Sequence, residues 1–258
     1  MIAQYLGIKL DIYFNMKTNT PIKEKIEWSG YTWRTKEPWG RIHPDKAWNY
    51  YDKKAVGVDI DGTLHLKTHY NPTSIIHEHK VYEPKYGVGL ISSTKKFHLG
   101  YFEIEAKLPT GYALWPAFWM YGSPWPPEID IVEAYTGNRQ DYLHFNIHNP
   151  LAYNKVESCI HHGVVAEGTK DSMPARAGMI FKDPRKHFIR YACNWQKDKI
   201  EIYYDGRRVR TITDKQILKE MDQPQMVVIN NHLTSKGLDK VGKQKSDFQI
   251  KYFKYVKN

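Results

Sequence analysis

The chain has 258 residues, 41% of them hydrophobic and 26% charged, a balance that builds a packed core and excludes a disordered polypeptide. No apolar run approaches the ~20 residues that a membrane-spanning helix needs. The net charge of +10 attracts polyanions, which leaves nucleic acid, an anionic membrane surface or an anionic polysaccharide as partners, beside a merely soluble surface.

Met1 to Leu6 lacks the basic start and unbroken apolar stretch of a secretory signal. Residues 1 to about 50 show no sustained period and are expected to lie as an irregular stretch over the rest. From there strand-like runs recur. Gly57 to Leu66 alternates around Asp61-Gly62, a hairpin signal. Tyr101 to Leu108 alternates cleanly, as does Lys199 to Tyr204, which meets Asp205-Gly206 and restarts at Arg207. Only Thr213 to Glu220 has the pattern of a short helix, and Phe248 to Phe253 reads as a closing strand. Many short strands separated by turns, with no repeat or linker, predict one all-β domain over 1–258, a sandwich. Aromatic residues reach 14%, with 8 Trp and 19 Tyr; they suit β cores, and their flat faces also suit stacking on sugar rings. Cys159 and Cys193 stand in no Cys-x-x-Cys pair and are too few for a disulfide scaffold. One bridge or two buried thiols fits equally.

The chemistry-bearing segment is Glu128-Ile129-Asp130-Ile131-Val132-Glu133. Side chains alternate faces along a strand, so Glu128 and Asp130 share one face. Unbroken alternation would send Glu133 into the core, where an unpaired carboxylate costs several kcal/mol. A β-bulge at Ile131-Val132 adds one residue and returns Glu133 to the face of Glu128. Four effective strand steps then separate the two Cα atoms by about 13 Å. Side chains leaning inward by roughly 4 Å each leave a carboxyl gap of about 5 Å, the spacing of retaining rather than inverting glycosidases. One Glu would attack the anomeric carbon and the other would protonate the leaving oxygen, with Asp130 between them raising a neighbour's pKa and orienting the nucleophile. The plainer reading is a solvated acidic face on an edge strand.

Trp115 to Met120 precedes this segment, with Trp115, Ala117 and Trp119 on one face and Pro116, Phe118 and Met120 on the other. A return through Tyr121 to Pro127 would place both Trp rings beside the acids as walls of a sugar groove; two core Trp residues are the alternative. In the strand after the acids, Leu143, Phe145 and Ile147 alternate with His144, Asn146 and His148, so His144 and Asn146 are expected to line the same cleft. His77-Glu78-His79 makes a poor ligand pair, and no metal site is predicted.

The acid hexapeptide after a Trp-Pro-Ala-Phe-Trp strand, with Gly100 to Pro109, Tyr203 to Gly206 and the run from Phe248 to Tyr255, resembles glycoside hydrolase family 16 from about Gly89 onward. The resemblance implies a β-jelly-roll sandwich of two antiparallel sheets with a concave substrate cleft, and endo-acting hydrolysis with retention. It implies Glu128 as nucleophile, Asp130 as its assistant and Glu133 as acid/base, in the family's bulged form, found in laminarinases, agarases, porphyranases and carrageenases. A monomer acting on polysaccharide outside the cell or in the periplasm is expected, with no membrane partner and no required cofactor; the acidic cleft and the lack of a helical or zinc motif argue against nucleic acid, and calcium away from the cleft occurs in the family. Tyr142-Leu143-His144-Phe145 departs from the laminarinases' Gly-Thr-x-His. Glu133-Ala134-Tyr135 followed by Arg139, and Tyr204-Asp205-Gly206 followed by Val209-Arg210-Thr211, are more similar to agarases and porphyranases. The expected substrate is a β-galactan, sulfated or not, with β-1,3-glucan and host galactans as alternatives. Arg34, Arg41, His43, Arg139, His161 and His162 offer cations for sulfate esters. A non-catalytic lectin-like module is the competing class.

Overall fold

A computed structural model describes residues 24–146, 149–163 and 171–257. Two sheets face each other across one apolar layer. The first runs in the order Lys25–Trp28, Tyr31–Arg34, Leu90–Phe97, Gln225–Leu233, Leu114–Tyr121, Glu128–Glu133, Asn149–His162 and Leu143–Asn146, with Asp171–Ile180 also paired to Asn149–His162. The second runs Arg207–Ile212, Ile200–Tyr204, Ile189–Trp195, Gly100–Lys107, Ser246–Val256, Leu64–Tyr70, Tyr86–Val88 and Asn49–Tyr51, with Val56–Val58 also on Leu64–Tyr70. The chain crosses repeatedly between sheets, from Leu90–Phe97 in the first to Gly100–Lys107 in the second and back to Leu114–Tyr121. This is the jelly-roll sandwich expected. Among the described residues its strand pairs are antiparallel apart from Asn49–Tyr51 beside Tyr86–Val88.

Alternation explains the layers. Phe102, Ile104 and Ala106 from one sheet meet Phe118, Met120, Ile129 and Ile131 from the other, all at most 1% exposed. Each large side chain so buried contributes roughly 1.5–3 kcal/mol. Asn231 points inward and ties the sheets with polar contacts, its Nδ2 donating to the Leu66 carbonyl at 2.9 Å and to Ser246 Oγ at 3.0 Å. The turn chemistry is as read from the sequence. Val58 pairs with Leu64 across a loop in which Asp59 Oδ1 accepts from the Asp61 and Thr63 amides. Tyr204 pairs with Arg207 across Asp205 and Gly206, whose φ values of 49° and 81° fit a mirror-image two-residue hairpin turn. A helix at Lys215–Met221 is capped by Asp214, which accepts from the Gln216 and Ile217 amides.

The N-terminal expectation needs correction. Residues 24–50 are not irregular throughout: Lys25–Trp28 and Tyr31–Arg34 form a hairpin on the edge of the first sheet. Trp28 and Trp33 anchor it in the core, and Trp33 meets Phe253 edge-on at 5.2 Å. Four-residue strands rich in charge give too short a period to read. Residues 1–23 lie outside the described residues. Cys159 and Cys193 are both buried and form no disulfide.

One cross-sheet contact supports the strand Glu128–Glu133. Tyr204, from the second sheet, donates its hydroxyl to the Ile131 carbonyl at 3.0 Å and also lies 3.1 Å from the Glu157 carbonyl. Gly178 makes room for it, since a Cβ there would fall 2.2 Å from the Tyr204 ring. Replacing Tyr204→Phe leaves a buried carbonyl without its donor and is expected to lower unfolding free energy by about 1–3 kcal/mol, read by urea denaturation. An unchanged midpoint would show that the contact carries no stability.

Candidate active site

The cleft lies on the outer face of the first sheet and has a volume of about 670 Å³. Its floor is the strand Glu128–Glu133. Trp119 pairs with Asp130 and Phe118 with Val132, so Ile131 is the extra residue against Leu114–Tyr121. On the other side Asp130 pairs with Cys159 and Glu133 with Glu157, three steps against two. Ile131 and Val132 are both buried, at 0% and 1% exposure. The bulge therefore sits where the face-counting put it, and Glu128, Asp130 and Glu133 all line one cleft.

Each carboxylate has its own partners. Glu128 Oε2 accepts from Trp125 Nε1 at 2.6 Å, and its Oε1 lies 3.7 Å from His161 Nε2. Glu133 Oε1 accepts from Trp115 Nε1 and from the Tyr135 hydroxyl, both at 2.8 Å. Asp130 is buried between them, with Oδ2 at 3.4 Å from His161 Nε2. Burial, reinforced by the charges of Glu128 and Glu133, pushes its carboxyl well above the usual range. Burial also raises Glu133, opposed by the Tyr135 and Trp115 donors. The site thus sets a carboxyl with a raised pKa at Glu133 beside a second carboxyl at Glu128.

The walls are aromatic. Trp115 and Trp119 border the cleft on the preceding strand, and Pro116, Phe118 and Met120 are core residues, as the alternation predicts. Trp119 Nε1 donates to Asn230 Oδ1 at 2.7 Å, which fixes the ring. Lys46 Nζ sits 4.1 Å from the centroid of the Trp115 ring. Burial lowers the Lys46 pKa, while Glu128, Glu133 and Asp130 pull it back up. His232 stacks on Tyr51 at 5.4 Å and is buried, which drives its pKa well below the usual value and keeps the ring neutral. Glu37 is wholly buried, and Tyr121 donates to its Oε2 at 3.1 Å. Burial pushes Glu37 up to about 8.

The expected following strand is displaced. Asn149–His162, not Leu143–Asn146, lies beside the acids, and its cleft-facing residues there are Glu157, Cys159 and His161. Leu143–Asn146 lies one strand further out. The side chains of His144 and Asn146, and His148 altogether, lie outside the described residues. Of the cations proposed for sulfate, His43 and His161 line the cleft. Arg139 lies in an adjoining depression that shares Glu133, Tyr135 and Glu157, and pairs with Asp141 at 2.9 Å. Arg34 donates to the Ser93 carbonyl, Arg41 borders a separate pocket, and His162 pairs with Glu220. Trp125, Lys46, Glu37, Asn230, His232 and Cys159 escaped sequence reasoning. Two signals were present: Cys159 and His161 alternate around Ile160, and Asn230-Asn231-His232 interrupts an otherwise apolar strand.

Glu37 generates a pH-dependent prediction. Its folded pKa lies above the unfolded value, so the folded state holds the extra proton and stability falls as pH rises between the two. Glu37→Gln keeps the acceptor for Tyr121 and removes the titration. The Tm difference between Glu37→Gln and the native chain is expected to grow in the variant's favour from pH about 5 to about 8. A difference that stays constant over that span contradicts a buried, protonated Glu37.

The family model for glycosyl hydrolases family 16 matches residues 48–253. A β-glucanase of Rhodothermus marinus is 36% identical over 116 residues, 41% of this chain and 35% of that protein. β-Agarase B of Zobellia galactanivorans is 30% identical over 139 residues, 52% of this chain and 38% of that protein. The matched parts thus span well under half of these relatives. The LamAcat structure from Zobellia galactanivorans superposes with a TM-score of 0.68 at 17% identity, covering 91% of each chain. With a match across most of its length and the bulged acid strand at the centre of its cleft, this chain belongs to glycoside hydrolase family 16.

Proposed function

We propose that the protein is an endo-acting, retaining β-glycosidase with Glu128 as nucleophile, Asp130 as its assistant and Glu133 as acid/base. The observation that carries this reading is the bulge, which brings the outer glutamates to one cleft with Asp130 between them. Glu133, its pKa raised by burial, holds a proton to deliver to the leaving oxygen, and Trp115 and Tyr135 stay on the carboxylate that remains. Glu128, held by Trp125, attacks the anomeric carbon; Glu133 then activates water to release the sugar.

We favour a β-galactan, sulfated or not, as the substrate, met outside the cell or in the periplasm. The similarity to β-agarase B and the segment from Glu133 to Arg139 support it, as do the cleft's Lys46 and His161. A β-glucan is the second reading, favoured by the 36% identity to a β-glucanase.

Glu128→Ser is expected to abolish release of reducing ends from agarose, porphyran, carrageenan, laminarin and mixed-linkage glucan while leaving oligosaccharide binding and the fold intact. Retained turnover removes Glu128 from the nucleophile role. No product from any of these polymers with the native chain favours a binding module instead.

A further inference from the structure

Cys159 and His161 stand on the strand next to the acids, two residues apart and on the cleft face. In the antiparallel register Cys159 lies opposite Asp130, and His161 opposite Glu128. One donor atom from each of Asp130, Cys159 and His161 lies within 4.8 Å of the others. We propose that Asp130, Cys159 and His161 form a reversible site for a borderline-soft divalent cation of the zinc class, and that its occupancy blocks hydrolysis.

Three observations support the site. First, the donor set is mixed: a thiol, an imidazole and a carboxylate suit zinc-class ions, whereas calcium and magnesium take oxygen ligands. Second, Asp130 Oδ2 is buried and has no hydrogen-bond partner among the described residues. A buried polar oxygen without a hydrogen-bond partner is costly, and a bound cation would supply one. Third, the spacing is close to what coordination needs. Tetrahedral zinc with bonds of about 2.0–2.3 Å places its ligand atoms roughly 3.3–3.8 Å apart. His161 Nε2 and Asp130 Oδ2 already stand 3.4 Å apart. The remaining separations, within 4.8 Å, must close by about 1.5 Å at most, within reach of a rotation of the Cys159 or His161 side chain.

Binding would displace the Cys159 thiol proton, and any protons on Asp130 and His161, to solvent, leaving a divalent ion balanced by one thiolate and one carboxylate. The fourth position would face Glu128, whose Oε1 is 3.7 Å from His161 Nε2. A cation there would engage the carboxylate proposed as nucleophile. This blocking rests on the assignment of Glu128; metal binding itself does not.

Cobalt(II) serves as the probe because thiolate ligation gives it a charge-transfer absorption. Titrating the native chain with cobalt(II) alone should produce this band at one ion per chain, and zinc(II) should displace it. Cys159→Ser should remove the band. His161→Ala, at a half-buried position, should fold normally and weaken binding by more than about 100-fold, since even outer-shell partners of metal ligands are worth about 10–100-fold. Circular dichroism of both variants reports that they are folded. No band in the native chain overturns the site, as does zinc binding of unchanged affinity in Cys159→Ser. Zinc is also expected to inhibit polysaccharide hydrolysis reversibly, with recovery on adding a chelator. Binding without inhibition overturns the blocking claim and leaves the site. A chain that hydrolyses no polymer yet shows the cobalt band overturns the proposed reaction alone.

Discussion

Ile131 and Val132 are neighbours in sequence, and both must be buried. No regular strand can do this, because successive side chains point to opposite faces. The bulge satisfies both at once and shifts the phase of everything after it, so Glu133 joins Glu128 and Asp130 instead of entering the core. A bulge disrupts the ladder locally, and the buried Ile131 carbonyl receives its hydrogen bond from Tyr204 of the opposite sheet. The hairpin that aims Tyr204, and the bare Gly178 that admits its ring, are thus connected to the chemistry of a strand neither belongs to.

The protein carries a net charge of +10, yet concentrates carboxylates in its cleft. The acids are held by neutral donors more than by cations: indoles at Trp115 and Trp125 and the Tyr135 hydroxyl. Such donors stabilise a carboxylate without the rigid pairing of a salt bridge, and burial sets against them. The balance differs at each residue. Asp130, most deeply buried and flanked by two acids, is pushed furthest toward its neutral form. Lys46 and His161 supply the positive side of the same cleft, while burial and the neighbouring Lys46 push His43 toward its neutral form.

Much of this was legible from the sequence because it depended on period-two patterns. The alternation in Tyr101 to Leu108, the Asp-Gly hairpins and the faces of Trp115 to Met120 all follow from local steric and burial rules. The bulge was legible for the same reason: two adjacent apolar residues between acids admit few solutions. What remained hidden depended on topology. Nothing local says that Asn149–His162, rather than the nearer Leu143–Asn146, lies beside the acids, so Cys159 and His161 went unplaced in the site. Glu37 and Lys46 arrive from an N-terminal segment whose four-residue strands carry too few alternations to read, and Trp125 from a proline-rich turn. The Tyr204 cap joins residues 73 positions apart in different sheets.

Double displacement requires the bulge to hold Glu128 and Glu133 at the retaining spacing. The anomeric configuration of the first product reports whether it does, followed by proton NMR from the start of hydrolysis, before mutarotation scrambles the new reducing ends. Double displacement predicts that the β anomer of the new reducing end appears first and the α anomer grows in only at the rate of mutarotation. An initial burst of the α anomer would mean single displacement by water, and would contradict Glu128 as nucleophile and Glu133 as acid/base.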